Sequence, residues 1–475
     1  MNKYKNLMLN TMILAVGTFG SKILAMFLTR LYTTYMGADI LGTKELIETT
    51  ANFLIPVFTF AISESVIRYG LDKDFDNKQV FSTAMSVQFF GMIIMVLLSP
   101  ILSVIPFIKG YTSLLVIYVI VSALRQTCSL FVRSIGHMKL YAADGILATL
   151  SLFLFNIFFI SYLDLGLKGF MFSIIASDLC SVMFISLTTK LWKYFSIKAA
   201  DKDITRIMLR FSIPMIPTSI MWIITGFSDR IFIKYLPGPE GEVGDTAAGL
   251  YTAASRLPNL ISMVSTVFFQ AWNMSSISEY GSKGIGKFYE KVFGAYQSVM
   301  FIASAGIIVL VEPLSRILLN YNKHPEYALA VNYTPVLILS VLMMCFNMFL
   351  SSVYTAAEKT KNSFWTSLIV TVLNIILNVF LIRYYGVHGA VATTFVSYIV
   401  CYIIRIIDTR RYIYFKVNHI YTAVNIVSLL ILAVLQVILP DSKTIYLILI
   451  ALFIVAINFR AVISTAKNIL SRKKG

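Results

Sequence analysis

Charge is what this chain has least of. Lys, Arg, Asp and Glu make up 13% of its 475 residues, against 58% hydrophobic. A soluble domain carries about 25% charged residues. So few charges cannot cover a water-facing surface, which excludes a soluble globular fold. Cysteine is also sparse. Cys128, Cys180, Cys345 and Cys401 stand alone in apolar runs with no CxxC pair, which excludes a disulfide framework. His137, His324, His388 and His419 fall at segment ends without ligand spacing, so no metal site is expected. No GxxxxGK[ST] loop is present, and with it goes nucleotide-driven work; no cofactor is expected. Loops are short throughout. That argues against a membrane enzyme such as a polysaccharide polymerase, whose catalytic groups sit on a sizeable outer loop.

What the chain has instead is long apolar runs. Their cores are 7–35, 40–69, 79–106, 112–135, 140–163, 167–192, 206–236, 247–277, 287–319, 327–356, 362–384, 388–412, 419–439 and 444–466. Each is long enough for the ~20 residues a membrane helix needs. The expected fold is all-α: a multi-pass membrane protein of fourteen transmembrane helices. The first run has no small-residue cleavage site and reads as a span, not a removable signal. The excess of Lys+Arg (40) over Asp+Glu (23) follows the positive-inside rule. With both termini cytoplasmic, about 26 basic residues lie inside and about 5 outside. Nucleic acid is not needed to explain them.

The sequence also repeats itself. Lys139, Gly166, Gly169 and Ser177 are matched without a gap by Lys359, Gly386, Gly389 and Ser397. Arg30 and Tyr35 match Arg230 and Tyr235; after a short insertion, Gly42 and Asn52 match Gly249 and Asn259. The unit is six helices, so both copies keep the same orientation, related by a pseudo-two-fold along the membrane normal. The expected organisation is a lobe over 1–193, a cytoplasmic linker over 194–205, a second lobe over 206–412, and two extra helices with a basic tail over 413–475. Two such lobes around a cavity are a carrier's layout.

Charges within spans are expensive and mark candidate sites. Lys22 and Arg30 lie within about 80° of each other on a 3.6-residue helix. With Arg230 and Arg256 they form a cationic set suited to phosphate oxygens through forked hydrogen bonds, so the cargo is expected to be an anion bearing phosphate. Snorkelling to the interface competes for Arg30 and Lys234. Glu48, Glu64, Asp144, Asp178 and Asp229 are candidates for proton or sodium coupling, or for ion pairs, as in Lys44 with Glu48. Asn52, Asn259 and Gln270 are candidate polar cavity residues. Pro214 and Pro217 interrupt the seventh span and are candidate hinges. The aromatics read mostly as lipid-facing and interfacial bulk, with no stacking platform among them.

The stretch Gly17 to Lys22, then Gly37 to Gly42 and Ile62 to Tyr69, resembles the oligosaccharide (Wzx-type) flippases of the multidrug/oligosaccharidyl-lipid/polysaccharide exporter superfamily. Ser212, Pro214 and Pro217, Ser228 to Arg230, Ala248 to Tyr251, and Phe268 to Trp272 are similar to that family's helices 7 and 8. Lys359, Lys361, Asn374, Asn378, Tyr385, Gly386, Gly389 and Ala390 resemble its helices 10 to 12. The resemblance covers the first twelve spans. It implies translocation of an undecaprenyl-diphosphate-linked glycan across the bacterial cytoplasmic membrane, among membrane lipids, alongside polymerase or export machinery. Fourteen helices look like the lipid II flippase branch, where the last two shape a groove for the lipid tail. Lys22 and Arg256 resemble that branch's cationic positions. Its further arginine on helix 2 has no counterpart, Ile55 and Pro56 standing there, which favours a capsule, O-antigen or exopolysaccharide unit. A cation-coupled multidrug exporter of the same superfamily is the other reading; its cavity would be acidic or apolar.

Overall fold

The computed structural model describes Leu24 and residues 26–471, apart from 73, 279, 358 and 439–442. Among the described residues every regular element is helical. The chain divides into two compact units, Met1–Phe227 and Ser228–Gly475.

In the first unit, residues 26–35 are helical. There follow α1 (Ala38–Phe58), α2 (Ile62–Gly70), α3 (Asn77–Leu102), α4 (Thr112–Ser134), α5 (Met138–Asn156, continued by a π turn), α6 (Gly166–Thr189) and the short α7 (Lys202–Ser212). Helix α8 (Ile216–Tyr235) crosses into the second unit. That unit holds α9 (Asp245–Ala254), α10 (Pro258–Ser278), α11 (Ile285–Val309), α12 (Val311–Leu318), α13 (Ala330–Ala356), α14 (Thr360–Thr409), α15 (His419–Ile438) and α16 (Lys443–Ser471). Every expected span from the second onward has a helical counterpart.

Eight helices among the described residues are each long and apolar enough to cross a membrane, and nine if the bent pair α1–α2 is one span. The rest are interrupted or fused for local reasons. Helix α1 contains Pro56, which cannot donate to the carbonyl one turn back. Two residues on from its end, Phe60 and Ala61 take left-handed φ of 54° and 48°, and α2 leaves at 60° to α1. The seventh span breaks at a 3₁₀ turn, Ile213–Met215, that contains Pro214, with Pro217 in the first turn of α8. The eighth span breaks ahead of Pro258. Proline disfavours helical geometry in the residue before it and suits the first helical position, so α9 ends at Ala254 and α10 begins at Pro258. The eleventh and twelfth spans meet at Gly386, whose φ of 52° and ψ of −129° turn the chain sharply inside α14.

The matched glycines support the internal repeat. Gly166 and Gly386, paired by sequence, both adopt positive φ. Both Gly169 and Gly389 face a backbone carbonyl so closely that a Cβ would collide with it.

The second unit corrects one expectation. Some of its aromatics stack on one another inside the unit. Phe268, Trp272, Tyr296 and Phe349 form a stacked buried group, with Trp272 and Phe349 centroids 4.7 Å apart. The Trp272 indole donates to Ser352 Oγ at 2.8 Å, so a buried polar tip is partnered.

Gly386→Ala is expected to destabilise the protein by roughly 2–4 kcal/mol, adding left-handed strain to collision with the Glu242 backbone. Gly166→Ala meets nothing within 4 Å and should cost only the strain, about 1–2 kcal/mol. Unfolding of the two purified variants in detergent ranks them; equal losses would contradict this account.

Candidate functional site

Two polar constellations stand out, one in each unit. The first surrounds a cavity of about 730 Å³ within Met1–Phe227. Helix α1 contributes Glu48 and Asn52. Helix α2 gives Ser63 and Glu64, α4 gives Tyr118, Ser122, Arg125, Gln126 and Ser129, α5 gives Tyr141 and Thr149, and α6 gives Ser177 and Asp178. The strained turn at Phe60 and Ala61 is part of this wall, since Pro56 and Ala61 line the cavity too.

Spacing explains the α4 face. Ser122, Arg125 and Ser129 recur at three- and four-residue steps and share one side of the helix. Arg125 bridges two carboxylates. Its Nη1 lies 3.1 Å from Asp178 Oδ1 and its Nη2 lies 4.0 Å from Asp144 Oδ2. Its Nε donates to Ser181 Oγ at 3.0 Å. The Asp144 and Asp178 side chains are 1% and 7% exposed, while that of Arg125 is 31% exposed toward the cavity. Ser129 and Ser181 donate to Asp144, and Ser122 donates to Asp178. A carboxylate at this depth needs such partners. One guanidinium serves two acids, so the network carries one net negative charge. Glu48 is neutralised by Lys44, which also lies over the rings of Tyr32 and Phe170. Glu64 lines the cavity, its carboxylate without an ion pair among the described residues.

The second constellation is centred on Asp229 in α8, which is 2% exposed. Asp229 Oδ2 accepts from the Tyr251 hydroxyl at 2.6 Å and from Thr394 Oγ1 at 2.7 Å. Its Oδ1 accepts from Asn378 Nδ2 at 2.6 Å. Asn378 also donates to Asn374 Oδ1 at 3.1 Å, which accepts from Ser228 as well. Asn378 Oδ1 and Asn374 Nδ2 are buried with no partner among the described atoms. Two hydroxyls and one amide N–H, from α9 and the two halves of α14, therefore ring one buried carboxylate.

Among the remaining sequence candidates, Arg230 donates from Nε to Thr252 Oγ1 at 3.2 Å and lies 5.5 Å from the centroid of the Tyr251 ring. Arg256 occupies the break between α9 and α10 and is partly buried, and Asn259 is exposed just beyond it. Arg30 is partly buried in the first helix. Lys22 and the side chain of Gln270 lie outside the described residues. Lys234 pairs with Asp245 at 2.8 Å.

Sequence reasoning passed over Arg405. It is 1% exposed in the last third of α14. Its partners are neutral: Thr366 Oγ1 at 3.2 Å, the Asn347 carbonyl at 2.8 Å and Ser367 Oγ at 2.8 Å. It ties α13 to both halves of α14. Its place within an apolar run was the available signal. It also passed over Tyr251 and Thr394; neutral side chains in apolar runs give no signal until they are seen against Asp229.

A family model described as MatE matches residues 240–380. No curated protein sequence matches the chain. Among solved structures, the inward closed form of the lipid II flippase MurJ superposes with a TM-score of 0.68 at 18% identity, covering 93% of this chain and 97% of that one. An inward-facing multidrug resistance MATE family transporter of the MOP superfamily gives 0.62 at 15%, covering 84% and 98%. A Vibrio cholerae MATE transporter gives 0.56 at 13%, covering 85% and 97%. The chain is thus a multi-pass membrane protein with the MATE- and MurJ-like fold.

Removing Arg125 would leave two carboxylates buried without their cation. Arg125→Ala is expected to cost about 3 kcal/mol, read as a lowered unfolding temperature in detergent. Adding Asp144→Asn and Asp178→Asn should restore most of it. An Arg125→Ala protein as stable as the parent would refute the bridging role.

Proposed function

We propose that this protein is a flippase that carries undecaprenyl-diphosphate-linked oligosaccharide units across the bacterial cytoplasmic membrane by alternating access, for capsule, O-antigen or exopolysaccharide assembly. The observation that carries this reading is the polar cavity of the first unit. Its wall combines hydroxyls, amides, carboxylates and one guanidinium with apolar side chains such as Ile55, Leu130, Leu152 and Ile174, which matches a glycan, whose hydroxyls need hydrogen-bond partners while its ring faces are apolar. The cavity falls within the ~300–1,000 Å³ of small-molecule sites. Likeness of fold to a lipid II flippase over 93% of the chain supports the same class of cargo, and lipid II itself is an alternative substrate.

In this reading the sugar occupies the cavity while the lipid tail stays in the bilayer. The diphosphate is assigned, on the sequence, to Lys22, Arg30, Arg230 and Arg256. Asp229 and its oxygen-rich surroundings are the coupling site for a proton or sodium ion. Pro214 and Pro217 are the hinge. A coupling ion acts by binding one conformation better than the other.

One observation favours a second reading, a cation-coupled multidrug exporter. Of the three carboxylates that line the cavity, Glu48 pairs with Lys44 and Asp178 with Arg125, while Glu64 has no ion pair among the described residues; a carboxylate so placed suits a cationic cargo.

Translocation of a fluorescent undecaprenyl-diphosphate oligosaccharide in proteoliposomes separates the two. The wild type is expected to move it, and Arg256→Ala to move it at least tenfold more slowly, the loss of about 1.4 kcal/mol of charge-assisted binding. Export of a lipophilic cation, with no glycan movement, would instead establish the exporter. In the same vesicles Asp229→Asn should abolish the dependence of rate on an imposed ion gradient. Undiminished gradient dependence would remove Asp229 from coupling.

A further inference from the structure

Neither constellation accounts for one end of the second unit. There the start of α11 packs against the loop between α14 and α15. Gly286 lies so close to the Tyr414 carbonyl that a Cβ would collide with it, and the Phe415 ring contacts Tyr289 and Phe293 at 5.7 and 5.9 Å. The two segments therefore present one surface.

That surface is strongly basic. Lys287 and Lys291 are exposed one turn apart on α11, and Lys283 is exposed in the turn before it. Opposite them the loop exposes Arg410, Lys416 and His419. Between the two segments lies a cavity of about 440 Å³. Lys416, Asn418, Gln297 and Tyr421 line it, together with the exposed carboxylate of Glu290. Gln297 is buried and held by Thr422 at 3.2 Å. The Tyr421 hydroxyl is engaged by Ser298 and Asn458. The deep side of the cavity is therefore fixed by packing. Tyr414 and Ile420, which flank the lining residues Lys416 to Asn418 in sequence, are 64% and 78% exposed, and an exposed tyrosine beside basic residues suits a segment at the bilayer interface.

We propose that this cavity is a binding site for the headgroup of an anionic phospholipid bearing hydroxyls, of the phosphatidylglycerol kind, distinct from the transported cargo. Lys416 and the amide of exposed Asn418 supply donors to the phosphate oxygens. Glu290 is the selective element. It repels a bare phosphate monoester but accepts hydrogen bonds from a glycerol headgroup. The surrounding lysines and arginines concentrate anionic lipid at the rim. The acyl chains lie against the exposed apolar side chains Ile420, Val424 and Val427 of α15.

Native mass spectrometry of the full chain released from nanodiscs tests this, with phosphatidylglycerol, phosphatidic acid and phosphatidylcholine supplied in turn. One phosphatidylglycerol should be retained per wild-type chain, with little of the other two. Lys416→Gln should weaken retention about fivefold, the order expected for one cation near an anionic headgroup. Glu290→Gln, at an exposed position, should keep the protein folded and erase the preference for phosphatidylglycerol over phosphatidic acid. The pair Lys287→Gln and Lys291→Gln, outside the cavity, should leave the single retained lipid in place. Retention proportional to total anionic lipid, indifferent to Lys416 and Glu290, would overturn the site and leave only bulk surface attraction. Soluble glycerol 3-phosphate should not compete, because it lacks the chains. Effective competition by it would assign the cavity to a free phosphate metabolite and overturn the lipid proposal.

Discussion

An ionised side chain inside a bilayer has no water to solvate it, and this constraint organises the structure. Each deeply buried charge described here is met by protein groups that replace its hydration shell. Asp144 and Asp178 share Arg125 and three serine hydroxyls. Asp229 takes a tyrosine, a threonine and an asparagine. Arg405 takes a backbone carbonyl and two hydroxyls. In a low-dielectric interior such partners are worth more than in water, and an unpaired charge costs more. The helices that supply the partners are held in register by that need. Apolar packing against lipid alone could not fix it, because lipid tails are as apolar as the helix surfaces.

The networks differ in what they leave over. The Arg125 bridge satisfies its members but retains a net negative charge beside an open cavity. Such a site holds its shape while staying receptive to hydrogen-bonding or cationic groups. The Asp229 ring is closed and leaves buried amide atoms of Asn374 and Asn378 with no partner among the described atoms. The Arg230 guanidinium lies just outside it, over the Tyr251 ring. Arg405 bonds only neutral acceptors. It acts as a fixed cation pinning α13 to α14.

Breaks in the helices are the second organising feature. Pro56, Pro214 and Pro258 each end or disturb a helix where the chain runs through the membrane region. The broken backbone lies next to candidate chemistry in two cases. The turn after α1 forms part of the cavity wall, and Arg256 sits in the gap before Pro258. Irregular backbone at membrane depth is tolerated where it is buried in protein or lines a cavity. The left-handed Phe60 and Ala61 store strain of about 1–3 kcal/mol each, held by the packing of Gly91 in α3 against Phe58.

Much of this was legible in the residues. Hydropathy alone determined an all-helical membrane protein, because a helix in lipid must be apolar along some twenty residues whatever surrounds it. The repeat pointed to Gly166 and Gly386 as equivalent, and both turn at positive φ, since only glycine takes that conformation cheaply. The ionisable members of both networks were visible as charges in apolar runs. Their partners were not. The serines that hold Asp144 and Asp178, the Tyr251 and Thr394 that hold Asp229, and the buried aromatic group around Trp272 are ordinary residues of apolar runs, and only contacts between helices distant in sequence give them meaning. A spacing rule reads one helix face at a time. Which face meets which is decided by tertiary packing, where small residues let backbones approach and each buried polar group must find its partner on another helix.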